Sequence, residues 1–289
     1  MPDQGVIYYA TGEQHIRQAA ISAKSVKKHT DLHVTLYADR GAESPYIDSV
    51  VEITPSGHPF YDRIDYFKQT PYDQTIYLDT DTYVVGDITP IFEVLGRFDI
   101  TAAHDEFRDT TAEHLSFETI EIDVPETFPE FQCGVIGYQN TEAVQALFDD
   151  WQRRYRPYRN RNLLDQPHFR EALYHNPVAV NTLPSEYNVQ VNFGGFLYDD
   201  AKVLHYAGEN VPFIGTETPR EDISEQIARE LNADAPSSRA AIVETNDGIH
   251  TRPTLVPTLR YRISLSVRER GIAGTLRRAA EKVISGDLS

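Results

Sequence analysis

The chain has 289 residues, 40% of them hydrophobic with 13 Phe and 17 Tyr, enough for one large α/β domain or one domain with an appendage. A net charge of −17, from 44 acidic and 27 basic residues, argues against nucleic acid as a partner. The single cysteine, Cys133, excludes an intrachain disulfide and a cysteine-cluster metal site, and no apolar run reaches the roughly 18 residues that a membrane span needs.

The opening residues, MPDQGVIYYATG, carry neither a basic n-region nor a cleavable apolar segment, so no signal peptide is read and the expected compartment is the cytoplasm. Residues 5–11 (GVIYYAT) form a β-rich run. Residues 12–29 follow as a helix, because Ile16, Ala19, Ala20, Ala23 and Val26 recur at helical spacing and Lys27, Lys28 and His29 suit the negative end of its dipole. Residues 32–39 (LHVTLYAD) alternate as a second strand, and 49–54 (SVVEIT) form a third that PSGHP ends. A short helix over 61–70 precedes a fourth strand, 74–81 (QTIYLDTD), after which Tyr83, Val84 and Val85 resume a β pattern. Residues 98–105 and 131–140 read as further strands, separated by a polar, Thr/Glu-rich stretch (106–130) read as a mobile surface segment. Over 141–158, Thr141 caps a helix whose Val144, Leu147, Phe148 and Trp151 make the buried stripe, and another helix starts within 163–175. Strands separated by helices predict a parallel, Rossmann-like sheet, and residues 232–239 (NADAPSSR) read as a linker.

Ligands of such sheets bind at the carboxyl ends of the strands. Ala10-Thr11-Gly12 and the Asp79/Asp81 pair both lie at such ends, so one rim can carry both. No GxGxxG follows the first strand and no Walker A sequence is present, which removes the dinucleotide fingerprint and the P-loop. Asp79-x-Asp81 can hold a divalent cation: alternate residues of an extended chain diverge, so a turn must begin here for both carboxylates to converge, and hard oxygen ligands suit Mg²⁺ or Mn²⁺. An EF-hand is excluded, since Tyr83 would fill the fifth position of that loop and no glycine the sixth.

The segment YLDTDTYVVGDITPIF resembles the DxD segment of GT-A glycosyltransferases, especially the retaining GT8 group that includes glycogenin and the lipooligosaccharide galactosyltransferases; Asp79, Asp81, Val84, Asp87, Ile88 and Phe92 fit its pattern. Four further matches follow in order: FQCGVIGYQN is similar to the family's Phe-Asn-Ser/Ala-Gly strand, LLDQPHF to its Gly-Gly-Asp-Gln, LPSEYN to its Leu-Pro-x-x-Tyr-Asn, and VLHYAG to its His-Phe-x-Gly. Together they cover roughly residues 5–213. The resemblance implies a GT-A fold, that is, an α/β, Rossmann-like, mostly parallel central sheet flanked by helices, with a C-terminal helical appendage. It also implies a hexose passing from a UDP-sugar to a hydroxyl acceptor on a glycan, lipid or protein. Asp79 and Asp81 would hold the metal, Mn²⁺ or Mg²⁺, with His205 as third ligand. Thr11, with Ala10 and Gly12, would line the uracil pocket, and Arg63, Asp79 and Thr80 would contact the donor. Gln132, Cys133 and Gly134 would lie under the sugar, and Asp165 and Gln166 beside the anomeric carbon. Retention would follow from a covalent adduct or from same-face attack.

The chain also departs from that pattern. Gln132 replaces the usual Asn, Leu163-Leu164 replaces Gly-Gly, His15 stands near where a Tyr stacks on uracil, and Glu209-Asn210-Val211-Pro212-Phe213 stands where the family has Lys-Pro-Trp after HYAG. That last departure motivates an alternative, a catalytically silent nucleotide-sugar-binding homologue or membrane scaffold. A sugar nucleotidyltransferase ranks lower, because its Gly-rich segment after the first strand is missing.

Charge adds two expectations. Only 6 of the 27 basic residues are Lys, with 21 Arg, and an acidic, Lys-poor surface suits a halophilic source. Residues 251–289 carry 8 basic and 3 acidic residues, a net of +5, and Ile272, Leu276, Ala279 and Val283 recur at helical spacing there. The segment 258–289 therefore reads as a basic amphipathic helix, facing an anionic membrane surface or packed on the acidic body. The expected organisation is a catalytic domain over 1–215, an acidic helix and linker over 216–250, and this tail over 251–289.

Overall fold

The computed structural model describes residues 2–105, 122–160, 164–190, 197–206, 224–225, 227–229, 231–232, 241–245 and 249–253. In chain order the elements are β1 (Gln4–Ala10), α1 (Gly12–His29), β2 (His33–Ala38), β3 (Ser49–Glu52), α2 (Pro59–Phe67), β4 (Gln74–Leu78), β5 (Thr82–Val84), α3 (Pro90–Leu95), β6 (Ile100–His104) and β7 (Phe131–Gln139). Then come α4 (Glu142–Tyr155), α5 (Gln166–His175), β8 (Val180–Leu183), a 3-10 turn (Ser185–Tyr187), β9 (Val189–Gln190), β10 (Val203–His205), β11 (Ala241–Thr245) and β12 (Ile249–Pro253). Thr141 caps α4 as its sequence predicts, its side chain accepting from the Val144 amide. The chain divides into two units, Met1–Arg252 and Pro253–Ser289; beyond Pro253 the second, with the basic tail, lies outside the described residues. So do residues 106–121 of the polar stretch and 233–239 of the linker.

Seven strands form the main sheet in the order β3-β2-β1-β4-β7-β6-β8. β1 pairs in parallel with β2 and β4, β2 with β3, and β6 with β8. β7 alone runs against its neighbours β4 and β6, so the sheet is mostly rather than wholly parallel. The sequence joining β6 to β7 is polar and carries Pro125 and Pro129, with no apolar stripe of the kind that makes a crossover helix, and the chain returns beside β6 in the opposite direction. From β1 the chain builds outward through β2 to β3, then crosses to the other side of β1 to place β4. That reversal makes the carboxyl ends of β1 and β4 a topological switch point, the place where open α/β sheets bind ligands.

Strand alternation divides the core. Ile7, Tyr9, Tyr37 and Tyr77 point to one face and pack with Phe67 of α2, Phe148 and Trp151 of α4, and Phe169 of α5. Val6, Tyr8, Leu36, Ile76 and Leu78 point to the other face and pack with Ala19 and Ala23 of α1 and Ile91 and Leu95 of α3. Both faces of the central strands are covered, so every residue of β1, β2 and β4 after the first is buried, whereas the edge strand β3 exposes Val50 and Val51.

A second sheet, β5-β10-β9, stands at the carboxyl end of β4. β10 pairs antiparallel with β5, setting Leu204 opposite Tyr83 and His205 opposite Thr82. Two buried serines of α1 anchor it: Ser22 Oγ lies 3.0 Å from Thr82 Oγ1, and Ser25 Oγ accepts from the Val84 amide at 2.8 Å. Among the described residues no helix is long and apolar enough to cross a membrane.

Candidate active site

The chain turns sharply where β4 ends. The Thr82 amide and hydroxyl both donate to the Asp79 carbonyl, at 3.1 and 2.7 Å, closing the turn over Asp79–Thr82 that convergence of the two carboxylates requires. The Asp79 amide donates to the Gly134 carbonyl of β7 at 2.9 Å, which ties the turn to the sheet. Asp79 continues the face of Tyr77, whose hydroxyl donates to its Oδ1. Its Oδ2 lies 3.8 Å from His205 Nε2, and Asp81 Oδ1 lies 3.4 Å from that same nitrogen.

One ligand atom from each of Asp79, Asp81 and His205 falls within 4.8 Å of the others. Two carboxylates and an imidazole fit a divalent ion of the Mn²⁺ class. The His205 ring is held for that purpose on two sides. Its Nδ1 lies 2.9 Å from Asn188 Oδ1; an Nδ1–H donating to that acceptor leaves the Nε2 lone pair facing the carboxylates. The ring also lies close over Gly134, where an added Cβ would stand 2.2 Å from His205 Cε1.

Arg63, on α2, is buried with Asp165 and joins it to Asp79. Its Nη2 donates to Asp165 Oδ1 at 2.7 Å, its Nε to Oδ2 at 3.1 Å, and its Nη1 to Asp79 Oδ1 at 2.9 Å. Burial alone would lower the arginine pKa; Asp165, then Tyr77 and Asp79, outweigh it and hold the guanidinium charged. Burial pushes the Asp165 carboxyl above its ordinary range, with Arg63 pulling against it. The Trp151 indole donates to the Asp165 carbonyl at 3.0 Å and fixes the backbone just before α5.

Gln132, Cys133 and Gly134 lie on β7 beside this network. Cys133 is buried, and burial, reinforced by Asp165, raises its thiol well above the ordinary value, which fits packing rather than nucleophilic chemistry. Gln166 opens α5, and its Nε2 donates to Asp105 Oδ2 at 2.6 Å; Gln132 Nε2 donates to that same oxygen at 3.0 Å.

At the end of β1, Ala10 is buried and Thr11 half-buried, and Gly12 adopts φ +78 as α1 begins. The Gly12 amide donates to both oxygens of Asp39, at 3.1 and 3.2 Å. Thr80 donates to Gln18 Oε1 of α1 at 3.2 Å, drawing the acidic turn toward the first βα junction. Of the sequence-predicted site residues, Ala10 to Gly12 and Asp79 to Asp81 stand at or just past the ends of β1 and β4, Gln132 to Gly134 near the start of β7, His205 at the end of β10, Arg63 on α2, and Asp165 and Gln166 where α5 begins. Leu163 and Glu209 through Phe213 lie outside the described residues. Sequence reasoning passed over Asp39, Tyr77, Asp105 and Asn188. Asp39 and Asp105 each stand one residue beyond a strand, the same signal that selected Asp79. Asn188 closes the LPSEYN match, but its contact with His205 depends on the pairing of β9 with β10.

Residues 60–212, more than half of the chain, match the sequence model of Glycosyl transferase family 8. No curated protein matches the sequence. Among solved structures, the galactosyltransferase LgtC in complex with donor and acceptor sugar analogs is 15% identical, with a TM-score of 0.51 over 72% of this chain and 88% of that one. An active-site mutant of LgtC gives 0.54 over 78% and 95%, also at 15% identity. GlyE of Streptococcus pneumoniae TIGR4 gives 0.51 at 19% identity over 73% of this chain and 56% of its own, so the chain spans about half the length of GlyE. It likewise spans 46% of the bifunctional glycosyltransferase WbbM, at 18% identity and a TM-score of 0.49 over 71% of this chain. At these identities the likeness is one of fold, and it is the GT-A fold. The family match establishes that the chain is a glycosyltransferase belonging to glycosyl transferase family 8.

Proposed function

We propose that the protein transfers a hexose from a UDP-sugar to a hydroxyl acceptor, with retention, using a divalent cation held by Asp79, Asp81 and His205. The observation that carries this reading is the meeting of those three residues at the sheet's carboxyl rim, directly beside the buried Arg63–Asp165 pair. The likeness to LgtC, described with donor and acceptor sugar analogs, supports a site that takes two sugar substrates.

In this reading Ala10, Thr11 and Gly12 receive the nucleobase end of the donor, and Thr80 and Arg63 contact it further along. A bound Mn²⁺ or Mg²⁺ neutralises charge that builds on the leaving diphosphate. Gln132, Cys133 and Gly134 form the floor under the hexose, and the Gln166 amide faces the anomeric carbon. Both oxygens of Asp165 are taken by the Arg63 fork, so that carboxylate acts by holding the guanidinium rather than as an attacking group. That favours same-face attack over a covalent adduct, with the departing UDP oxygen accepting the proton of the incoming hydroxyl. Residues 258–289, read as a basic amphipathic helix facing a membrane or packed on the acidic body, lie outside the described residues.

The test pairs calorimetric titration of Mn²⁺ with UDP release from a panel of UDP-sugars. Asp81→Ala and His205→Ala are each expected to lose both metal binding and turnover. Undiminished turnover in either variant removes that residue from the metal site, and donor binding without turnover in the wild type returns the chain to a binding role.

A further inference from the structure

We infer that Asp105 is a positioning residue that fixes the amide orientation of Gln166, and of Gln132 with it. Asp105 follows β6 directly and is 3% exposed. Its backbone amide donates to the Glu130 carbonyl at 2.8 Å, which pins it against the start of β7. Its Oδ2 receives two side-chain amides from separate elements: Gln132 of β7 at 3.0 Å and Gln166 of α5 at 2.6 Å. A second buried carboxylate, Glu130, stands 3.5 Å from the Gln166 nitrogen through Oε1.

The chemistry of the acceptor decides which way both amides face. A carboxylate only accepts, so each glutamine must turn its NH₂ toward Asp105 and its carbonyl to the opposite side. A glutamine without such a partner can rotate its amide by half a turn and present either end. The difference matters for the reaction. A carbonyl oxygen stabilises positive charge developing at an anomeric carbon, whereas an NH₂ opposes it. Asp105 therefore selects the productive face of Gln166 by fixing its amide. The glutamine at position 132, longer by one methylene than the asparagine of the resembling pattern, reaches that same oxygen and braces it from the β7 side.

This inference rests on the role proposed above for Gln166, and the experiment separates the two. The wild type, Gln166→Ala, Asp105→Leu and the double variant are compared for kcat and donor KM, with donor binding followed by thermal shift. Asp105→Leu is expected to lower kcat roughly tenfold, the scale of one buried hydrogen bond, with donor KM within about twofold and little further loss when Gln166→Ala is added. Unchanged kcat in Gln166→Ala overturns the role of Gln166 itself. A loss in Gln166→Ala but none in Asp105→Leu, or losses that multiply in the double variant, overturns the positioning role alone. Because Asp105→Leu can fail to fold, an isosteric pair provides a second measurement. Gln166→Glu sets two carboxylates against each other and should lower kcat, and adding Asp105→Asn restores a donor to the pair and should recover most of the loss. No recovery overturns the positioning role.

Discussion

Arg63 concentrates more of the site's electrostatics than any other described side chain. It forks onto Asp165, reaches Asp79 with its remaining nitrogen, and lies over the Phe60 ring at 5.2 Å. Lysine could supply the charge but not the fork, so the exchange is not conservative here. Arg63→Met leaves Asp165 buried without its counter-charge, and the expected cost is about 3–5 kcal/mol of stability, read from urea unfolding. Arg63→Lys should fall between that variant and the wild type. If Arg63→Met unfolds with the wild-type midpoint, the pair contributes nothing net to stability and its role is confined to donor binding.

At the scale of elements, β7 and β10 meet across a single glycine. The His205 ring occupies the space that any side chain at position 134 would need: a Cβ there would stand only 2.5 Å from Nδ1 and nearer still to Cε1. Gly134→Ala should leave the sheet intact, displace the ring and weaken Mn²⁺ binding by about 10–100-fold, as loss of support around a ligand does. Wild-type affinity in that variant would show that His205 does not need this seat. On α5, His168 is buried against Tyr158 at a centroid distance of 4.6 Å, and neither ring nitrogen makes a hydrogen bond, although Glu171 Oε2 stands 3.5 Å from Nδ1. Burial pulls its pKa below the ordinary 6.5, with Glu171 pulling back. In the window just below 6.5 the unfolded chain binds a proton that the folded chain resists, so stability rises with pH through that window and falls on acidification. His168→Phe keeps the stacked ring and removes the titration. Its urea midpoint should fall less than the wild type's between pH 6.5 and about 5; an equal fall would place the acid sensitivity elsewhere.

For the whole molecule, charge sets the response to salt. Acidic residues outnumber basic ones by 44 to 27, so screening relieves more repulsion than attraction even though it also weakens pairs such as Lys28–Glu225. The melting temperature is expected to rise as KCl is raised from about 0.1 to 1 M, where the screening length drops from about 10 to 3 Å. A fall would mean that the surface pairs outweigh the net charge.

Much of this architecture was legible in the sequence because it follows from periodicity and strand ends. The apolar runs of β1, β2 and β4 and the stripes of α1 and α4 are local patterns, and local patterns name elements. The same reading put Thr11, Asp79 and Asp81 on one rim, since ligands of such sheets gather at carboxyl ends, and the resemblance extended it to Arg63, Asp165 and Gln166. The six-residue α3 and four-residue β8 were missed, being too short to show a period of their own. The reversal of β7 was missed as well, because strand direction depends on how the chain returns, not on the strand's composition. Tertiary structure alone decided the pairings across distance: β10 against β5, which carries His205 to the acidic turn; Asn188 behind that histidine; and Asp105 beneath two amides. The sequence by itself determined which elements form and which carboxylates stand at their ends. Only the folded chain determined which groups face one another, because those contacts join residues tens to more than a hundred positions apart through sheet register and buried hydrogen bonds.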